Sequence, residues 1–332
     1  MTSMTLRAPS PVESAPDRVA IVCILASCLF LQLGAALATS LFPHAGTWAT
    51  SSLRLVIAGA ILLAVSRPAV WRWTPEQWGA AVVLGFSLGC MNGFYYAGIA
   101  TVPLGAAVTI EFLGPLLLAA LLSRSLRDGV SVLLALTGML LLGLDSYTGE
   151  PLDPVGVAVI LLAGAFWALY ILANKRTGAL IPGQGGLAVA LTVGGLITLP
   201  FGWQGVGTVV STPRLVLIAV GTAVMASLIP AVLELIALRR LRPQVFSILI
   251  SFEPAFAVLI GWLVLHQDAS ALKLGAVALV IFASVNQTVG GRRSARRASR
   301  AGVVEEEGKP RRWRRKGTTR AARAKSVTEQ PS

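Results

Sequence analysis

The sequence predicts an all-α integral membrane protein of ten transmembrane helices, arranged as two inverted five-helix repeats. Three observations carry that prediction. Only 13% of the 332 residues are charged and the mean hydropathy is +0.73, too few polar groups to cover a water-soluble globule of this size. Ten apolar runs of roughly membrane-spanning length follow one another. The basic residues between those runs collect on one side.

Each run can be justified in turn. A polar N-terminal segment, residues 1–18, precedes the first, Val19 to Phe42, whose 24 residues exceed the apolar core of a cleavable signal, so it reads as a retained span. The second, Ala49 to Ser66, carries Arg54 near its start. The third, Trp78 to Ala100, contains Asn92, Tyr95 and Tyr96. The fourth, Pro103 to Ser123, holds a single carboxylate, Glu111, in 21 residues that would cross about 30 Å as a helix. The fifth, Gly129 to Leu144, and the seventh, Leu187 to Trp203, are the short ones. The sixth, Val155 to Asn174, contains Trp167 and Tyr170. Glu234 lies in the eighth, Leu215 to Leu238, and Glu253 in the ninth, Val245 to Leu265. Ala271 to Val289 is the tenth.

With the amino terminus in the cytoplasm, the inner loops contain Arg67, Arg72, Arg124, Arg127, Lys175, Arg176, Arg239, Arg240 and Arg242. The outer loops contain only Arg214 and Lys273. That asymmetry obeys the positive-inside rule and fixes both termini inside a multi-pass cell (inner or plasma) membrane protein. Adding or dropping one span would scramble it.

An internal repeat is the next expectation, since carriers are often two halves of inverted topology. Pro103 aligns with Pro243, Ala97 with Ala237 and Phe112 with Phe252, and one gap brings Pro115 onto Pro254. An odd number of spans per half forces the second to be inverted. The domains are therefore residues 19–145, a short acidic outer linker from Asp145 to Pro154, residues 155–290, and a tail, 291–332.

Ionisable groups inside a bilayer cost about 2.5–3.5 kcal/mol each on insertion scales and normally face a cavity or a partner. Glu111 and Glu253 lie at similar depth on neighbouring faces of equivalent helices and could line one central site. Glu234 lies closer to the cytoplasmic interface. Against a functional reading stands a structural one, a helix-to-helix hydrogen bond or ion pair. Arg54 is the obvious partner, although it could equally snorkel outward. A low-dielectric site favours the protonated form of a carboxyl group, which a proton-coupled carrier uses; a carboxylate could instead hold a substrate ammonium. Asn92, Tyr95, Tyr96, Trp167 and Tyr170 are cavity candidates because each carries a donor that needs a partner in lipid. For each, packing or an interfacial position is the plainer alternative.

Several chemistries are excluded. Gly85, Ser87 and Gly89 match a nucleophile elbow, but that motif needs a strand-turn-helix context; inside an apolar helix these glycines fit close helix packing. His44 and His266 lie at loop ends. No phosphate-binding glycine loop or zinc-binding histidine pair occurs, so no enzyme activity, cofactor or metal is expected. Cys23, Cys28 and Cys90 read as small core residues.

The net charge of +13 divides unevenly: residues 292–332 hold 14 Lys/Arg against 4 Asp/Glu, and the rest of the chain holds 14 against 11. Such a tail has the composition of a disordered segment. At the cytoplasmic face it would meet anionic lipids of the bilayer, at about 1 kcal/mol per basic residue. Nucleic acid is not an expected partner.

Four segments in order carry a family resemblance: LGAALATSLFPHAGTWATSSLRL, MNGFYYAGIATVPLGAAVTIEFLGPL, FWALYILANKRTG and LELIALRRLRPQVFSILISFEPAFAVLIGWLVL. The chain resembles the drug/metabolite transporter superfamily with two EamA-type repeats, and within it is most similar to the threonine/homoserine exporter branch. Where such proteins usually continue the ninth helix with a glycine and an acidic or amide residue, this chain reads His266, Gln267, Asp268. The resemblance implies export of small amphiphilic metabolites, amino acids such as threonine or homoserine, by alternating access coupled to protons. It implies that Glu111 and Glu253 bind the substrate ammonium or a proton, that Arg54 or a helix amino end holds the carboxylate, and that Asn92, Tyr96 and Trp167 shape the pocket. The alternatives are an exporter of drugs or other metabolites in the same fold, or a membrane scaffold acting through its basic tail.

Overall fold

The computed structural model describes residues 18–122, 126–148, 151–238, 240–241 and 243–286. The N-terminal segment to Asp17, the tail, and the inner-loop residues Arg124, Arg239 and Arg242 lie outside them. Every regular element among the described residues is helical. In chain order these are α1 (Arg18–Thr39), α2 (Phe42–Ser66), α3 (Pro75–Ile99), α4 (Leu104–Glu111), α5 (Leu113–Leu122), α6 (Leu126–Thr148), α7 (Pro154–Leu180), α8 (Gly185–Val210), α9 (Pro213–Ala223), a π-helical turn (Val224–Leu228), α10 (Ile229–Leu238), α11 (Pro243–Ile250), α12 (Glu253–Leu265) and α13 (Ala271–Asn286). Seven stretches are long and apolar enough to cross a bilayer, and Leu104–Leu118, Gly129–Leu142 and Ala271–Asn286 are shorter apolar helices.

Several boundaries move from where hydropathy alone puts them. The short seventh run is the core of the 26-residue α8, whose polar ends continue the helix. The helix α7 runs on to Leu180, so Lys175 and Arg176 are helical rather than loop residues, and Arg176 pairs with Glu76 at 3.0 Å. The outer linker is also shorter than expected. Asp145 belongs to α6 and is buried.

Prolines explain the interrupted spans. A proline has no N–H for the carbonyl four residues earlier. Pro115 leaves the Glu111 carbonyl without that bond, and the fourth span breaks at Phe112 between α4 and α5. Pro254 does the same to Ile250, and the ninth span breaks at Ser251 and Phe252. Pro230 frees the Ala226 carbonyl within the π-helical turn. The sequence predicts three continuous spans here; the fourth and ninth are each two helical pieces that meet near a glutamate, and the eighth runs on through its π-helical turn.

Small residues let the helices approach closely. A Cβ on Gly89 of α3 would fall 2.6 Å from the Gly194 carbonyl oxygen of α8, so only glycine fits. Ser87, between the two glycines of the elbow-like motif, is buried and donates to its own helix at the Val83 carbonyl, 2.7 Å away. The main packing partners are α2 with α8, α3 with α7 and α8, α1 with α10 and α12, and α4 with α12. At one end of the α6–α13 contact Asn286 donates to Ser131 at 3.0 Å; at the other Lys273 pairs with Asp145 at 3.5 Å. The two helices are therefore antiparallel. Around Glu111 the core is built from Tyr96, Leu104, Ile110, Phe112, Leu113, Ile160 and Ala257.

Candidate functional site

Glu111 is the last residue of α4, placed there by the break that Pro115 enforces, and is 8% exposed. Its carboxyl oxygens accept no hydrogen bond and form no ion pair among the described residues. They are not sealed either: the enclosed polar atoms without a partner are Gln32 Oε1, Ser51 Oγ and Thr222 Oγ1. Its charge interacts with those of Glu253 and Arg54. An acid left without a bond partner in the interior is an incomplete site.

Arg54 corrects the expectation made of it. It neither snorkels to the surface nor pairs with a glutamate. The side chain is 9% exposed and points inward. Its Nη2 donates to the Ala226 carbonyl at 2.7 Å, its Nε to Ser227 Oγ at 3.0 Å and its Nη1 to Tyr96 Oη at 3.1 Å. The guanidinium carbon also lies 5.5 Å from the Tyr96 ring centre. The physical reason is Pro230: the carbonyl it strips of a partner is the one that Arg54 fills. Three of the five guanidinium N–H groups are thereby used, all on neutral acceptors. Its positive charge has no contacting anion among the described residues, and it acts on Glu111 only through its field.

Glu253 opens α12, with Gln32 of α1 donating from Nε2 to its Oε1 at 3.3 Å. Glu234 of α10 accepts from Ser27 Oγ of α1 at 2.8 Å. The charges of Glu253 and Glu234 interact. Glu111 is thus coupled electrostatically to Glu253 and Arg54, and Glu253 to Glu234.

Among the neutral candidates, Tyr96 joins the site as the acceptor for Arg54 and is fully buried. Tyr95 lies within the fields of Glu111 and Glu253. Trp167 packs edge-on against Phe112, ring centres 4.9 Å apart, and so braces the break beside Glu111. Tyr170 is half-buried against Leu84, Ala173 and Ala190, within the field of Glu234. Asn92 takes no part: it donates to the Leu88 carbonyl of its own helix at 2.9 Å.

Comparison with known proteins identifies the family. A profile of the EamA-like transporter family matches residues 154–286. The threonine/homoserine exporter RhtA of Escherichia coli (strain K12) is 36% identical over 281 residues, 85% of this chain and 95% of that one. The protein of the same description from Salmonella typhimurium (strain LT2) is 36% identical over 284 residues, with the same coverage. The chain belongs to the EamA-like transporter family. Within the family it falls in the RhtA-like branch, whose members are transporters and not enzymes, and it is a multi-pass membrane transporter of small metabolites. A solved structure described only as the crystal structure of a protein superposes with a TM-score of 0.59 at 19% identity, over 84% of this chain and 99% of that one, which shows the shared fold.

For an EamA-like transporter, the parts that charge and aromaticity did not reveal are Gln32, Ser27 and Ser227, uncharged groups inside apolar runs. Gln32 had one available signal, an amide in mid-span. Where this chain departs from the family pattern, Gln267 Oε1 accepts the Leu104 N–H at 3.0 Å, so the unusual outer sequence caps α4. Lys273 and Asp145, read as loop charges, are a buried ion pair; Ser270 also donates to Asp145.

Proposed function

We propose that this protein exports small zwitterionic amino acids, threonine and homoserine or close analogues, from the cytoplasm across the inner membrane. The observation that carries this reading is the pair Arg54 and Glu111: opposite charges buried in one interior, electrostatically coupled, and not in contact. A free amino acid supplies both missing partners, its carboxylate for the two unused N–H groups of Arg54 and its ammonium for the Glu111 carboxylate. Charge-assisted hydrogen bonds of this kind are worth about 1.5–3 kcal/mol each. Tyr96 fixes the guanidinium, and the Phe112–Trp167 contact borders the pocket.

In this reading the seven long and three shorter apolar helices are ten spans, in two inverted repeats at residues 19–145 and 155–290, with both termini cytoplasmic. The packing supports it. If span n corresponds to span n + 5, then α3 on α7 matches α10 on α1, α5 on α7 matches α12 on α1, and the α2–α8 and α4–α12 contacts join equivalent helices. The breaks at Phe112 and Phe252, each nine residues after the aligned proline, support it too. Transport proceeds by alternating access between the repeats, with protons moving inward as substrate moves out. The basic tail rests on anionic lipid and is dispensable for transport.

Reconstitution into liposomes with labelled threonine and homoserine under an imposed pH gradient tests this. Flux that E111Q abolishes, and that removal of residues 292–332 leaves intact, is the expected result. Undiminished flux in E111Q would remove the substrate role of Glu111.

A further inference from the structure

Glu253 differs from Glu111 in having an amide beside it, and the amide is incompletely bonded. Gln32 is 1% exposed; Nε2 donates to Glu253, while Oε1 is enclosed without a donor. A buried acceptor with no donor costs about 1–3 kcal/mol, so the structure holds a group that lacks one hydrogen. We infer that Glu253 and Gln32 form a proton-binding site distinct from the Arg54–Glu111 substrate pair.

The chemistry needs one rotation and one proton. With Glu253 ionised, Gln32 Nε2–H donates to the carboxylate. When the carboxylate takes a proton, an O–H bond forms and the group becomes a donor. A half-turn of the amide then presents Oε1 to it, since the two ends of an amide are nearly the same size but opposite in hydrogen-bond sense. The orphaned acceptor is satisfied in the protonated state, and the ionised state is served by the same side chain turned back. Release breaks the O–H bond and returns the proton to water on the side then open. Gln32 is a positioning residue here, and Glu253 is the group that binds.

The ionisable groups around Glu253 favour a bound proton there. Glu111 of α4 and Glu234 of α10 place negative charge nearby, Tyr95 of α3 and Cys28 of α1 add neutral titratable groups, and Arg54 of α2 acts on Glu111 and Tyr95. Substrate held between Arg54 and Glu111 brings its ammonium into the same field, so proton and substrate compete without sharing a carboxylate. Antiport requires that competition.

This inference rests on the transport reading for its flux arm but not for its spectroscopic arm. In proteoliposomes, E253Q is expected to lose the accumulation of labelled threonine that a pH gradient drives in the parent protein. Infrared difference spectra of the purified protein between acid and alkaline pH, with no substrate present, are expected to show a carboxylic acid C=O band that E253Q removes. Q32L is expected to shift that band to higher wavenumber, as loss of a hydrogen bond does. Persistence of gradient-driven accumulation in folded E253Q, a pH-dependent band untouched by E253Q, or a band that Q32L does not move would each overturn the proposal. If E253Q does not yield monodisperse protein, Q32L carries the same readouts. A parent protein that exchanges neither amino acid, yet shows the Glu253 band and its Q32L shift, would sink the substrate reading and leave the proton site standing.

Discussion

Two oppositely charged pairs occupy the interior, and they differ in one respect. At the end of the α6–α13 contact, Lys273 and Asp145 touch, with Ser270 bonded to the same carboxylate and Lys273 Nζ also donating to the Asp268 carbonyl at 3.3 Å. Beside the break in the fourth span and the π-helical turn of the eighth, Arg54 and Glu111 make no ion pair. The first pair is complete in the empty protein and holds two helices together. The second stays incomplete until something arrives, and the backbone oxygen that Pro230 exposes helps to hold Arg54 away from its natural counter-ion. On the proposed reading the finished ion pair is structure, and the unfinished one is the substrate site.

That contrast can be broken most forcefully at the finished pair. K273M alone, or D145N alone, strands one buried partner and is expected to cost about 3–5 kcal/mol of stability, read as a fall in Tm of the detergent-solubilised protein. The double exchange K273D with D145K should recover part of the loss. At the unfinished pair the sign should differ. E111Q removes a buried charge that has no partner, so Tm should hold or rise, while affinity for threonine falls roughly ten- to a hundredfold, the equivalent of about 1.5–3 kcal/mol. A substrate-binding assay alongside the melting curve separates the two.

The contrast also requires that the scaffold around the open pair be rigid. G89A forces a methyl group against the Gly194 carbonyl and should cost about 1–3 kcal/mol, lowering Tm without altering which amino acids are carried. The smallest effect belongs to Asp153, the N-cap of α7 outside the membrane. The Thr101 hydroxyl beside it, with the backbone N–H groups of Val155 and Gly156, holds its carboxyl below the usual aspartate range. A lowered folded-state pKa contributes stability above the unfolded value, about 3.9, and loses it as pH falls through the folded one. D153N should therefore flatten the acid side of the stability profile slightly, and leave it unchanged near neutrality apart from a small constant offset.

Much of this was legible in the sequence because lipid makes charge conspicuous. Glu111, Glu253 and Arg54 stand out in apolar runs, and all three lie at the site. The aligned prolines mark equivalent places in the two halves, but both spans read as continuous and their breaks were not expected. What escaped has a common cause. Gln32 and Ser27 are neutral and short of any motif, and their importance depends on which helix α1 lies against, a tertiary fact that hydropathy does not carry. Arg54 was read either as half of an ion pair or as snorkelling outward; its partners are instead Ser227, Tyr96 and the Ala226 carbonyl of the π-helical turn, all neutral. Lys273 and Asp145 lie 128 positions apart at helix ends, where a charge ordinarily means solvent.

Pro115, Pro230 and Pro254 each delete one rung of a helical ladder, and all three deletions fall beside the residues proposed to meet the cargo and the proton. A helix bends most cheaply where a rung is missing. If the proposed repeats rock on one another, the bend is taken up at the level of the proposed passenger, so that hinge and seat are the same few residues.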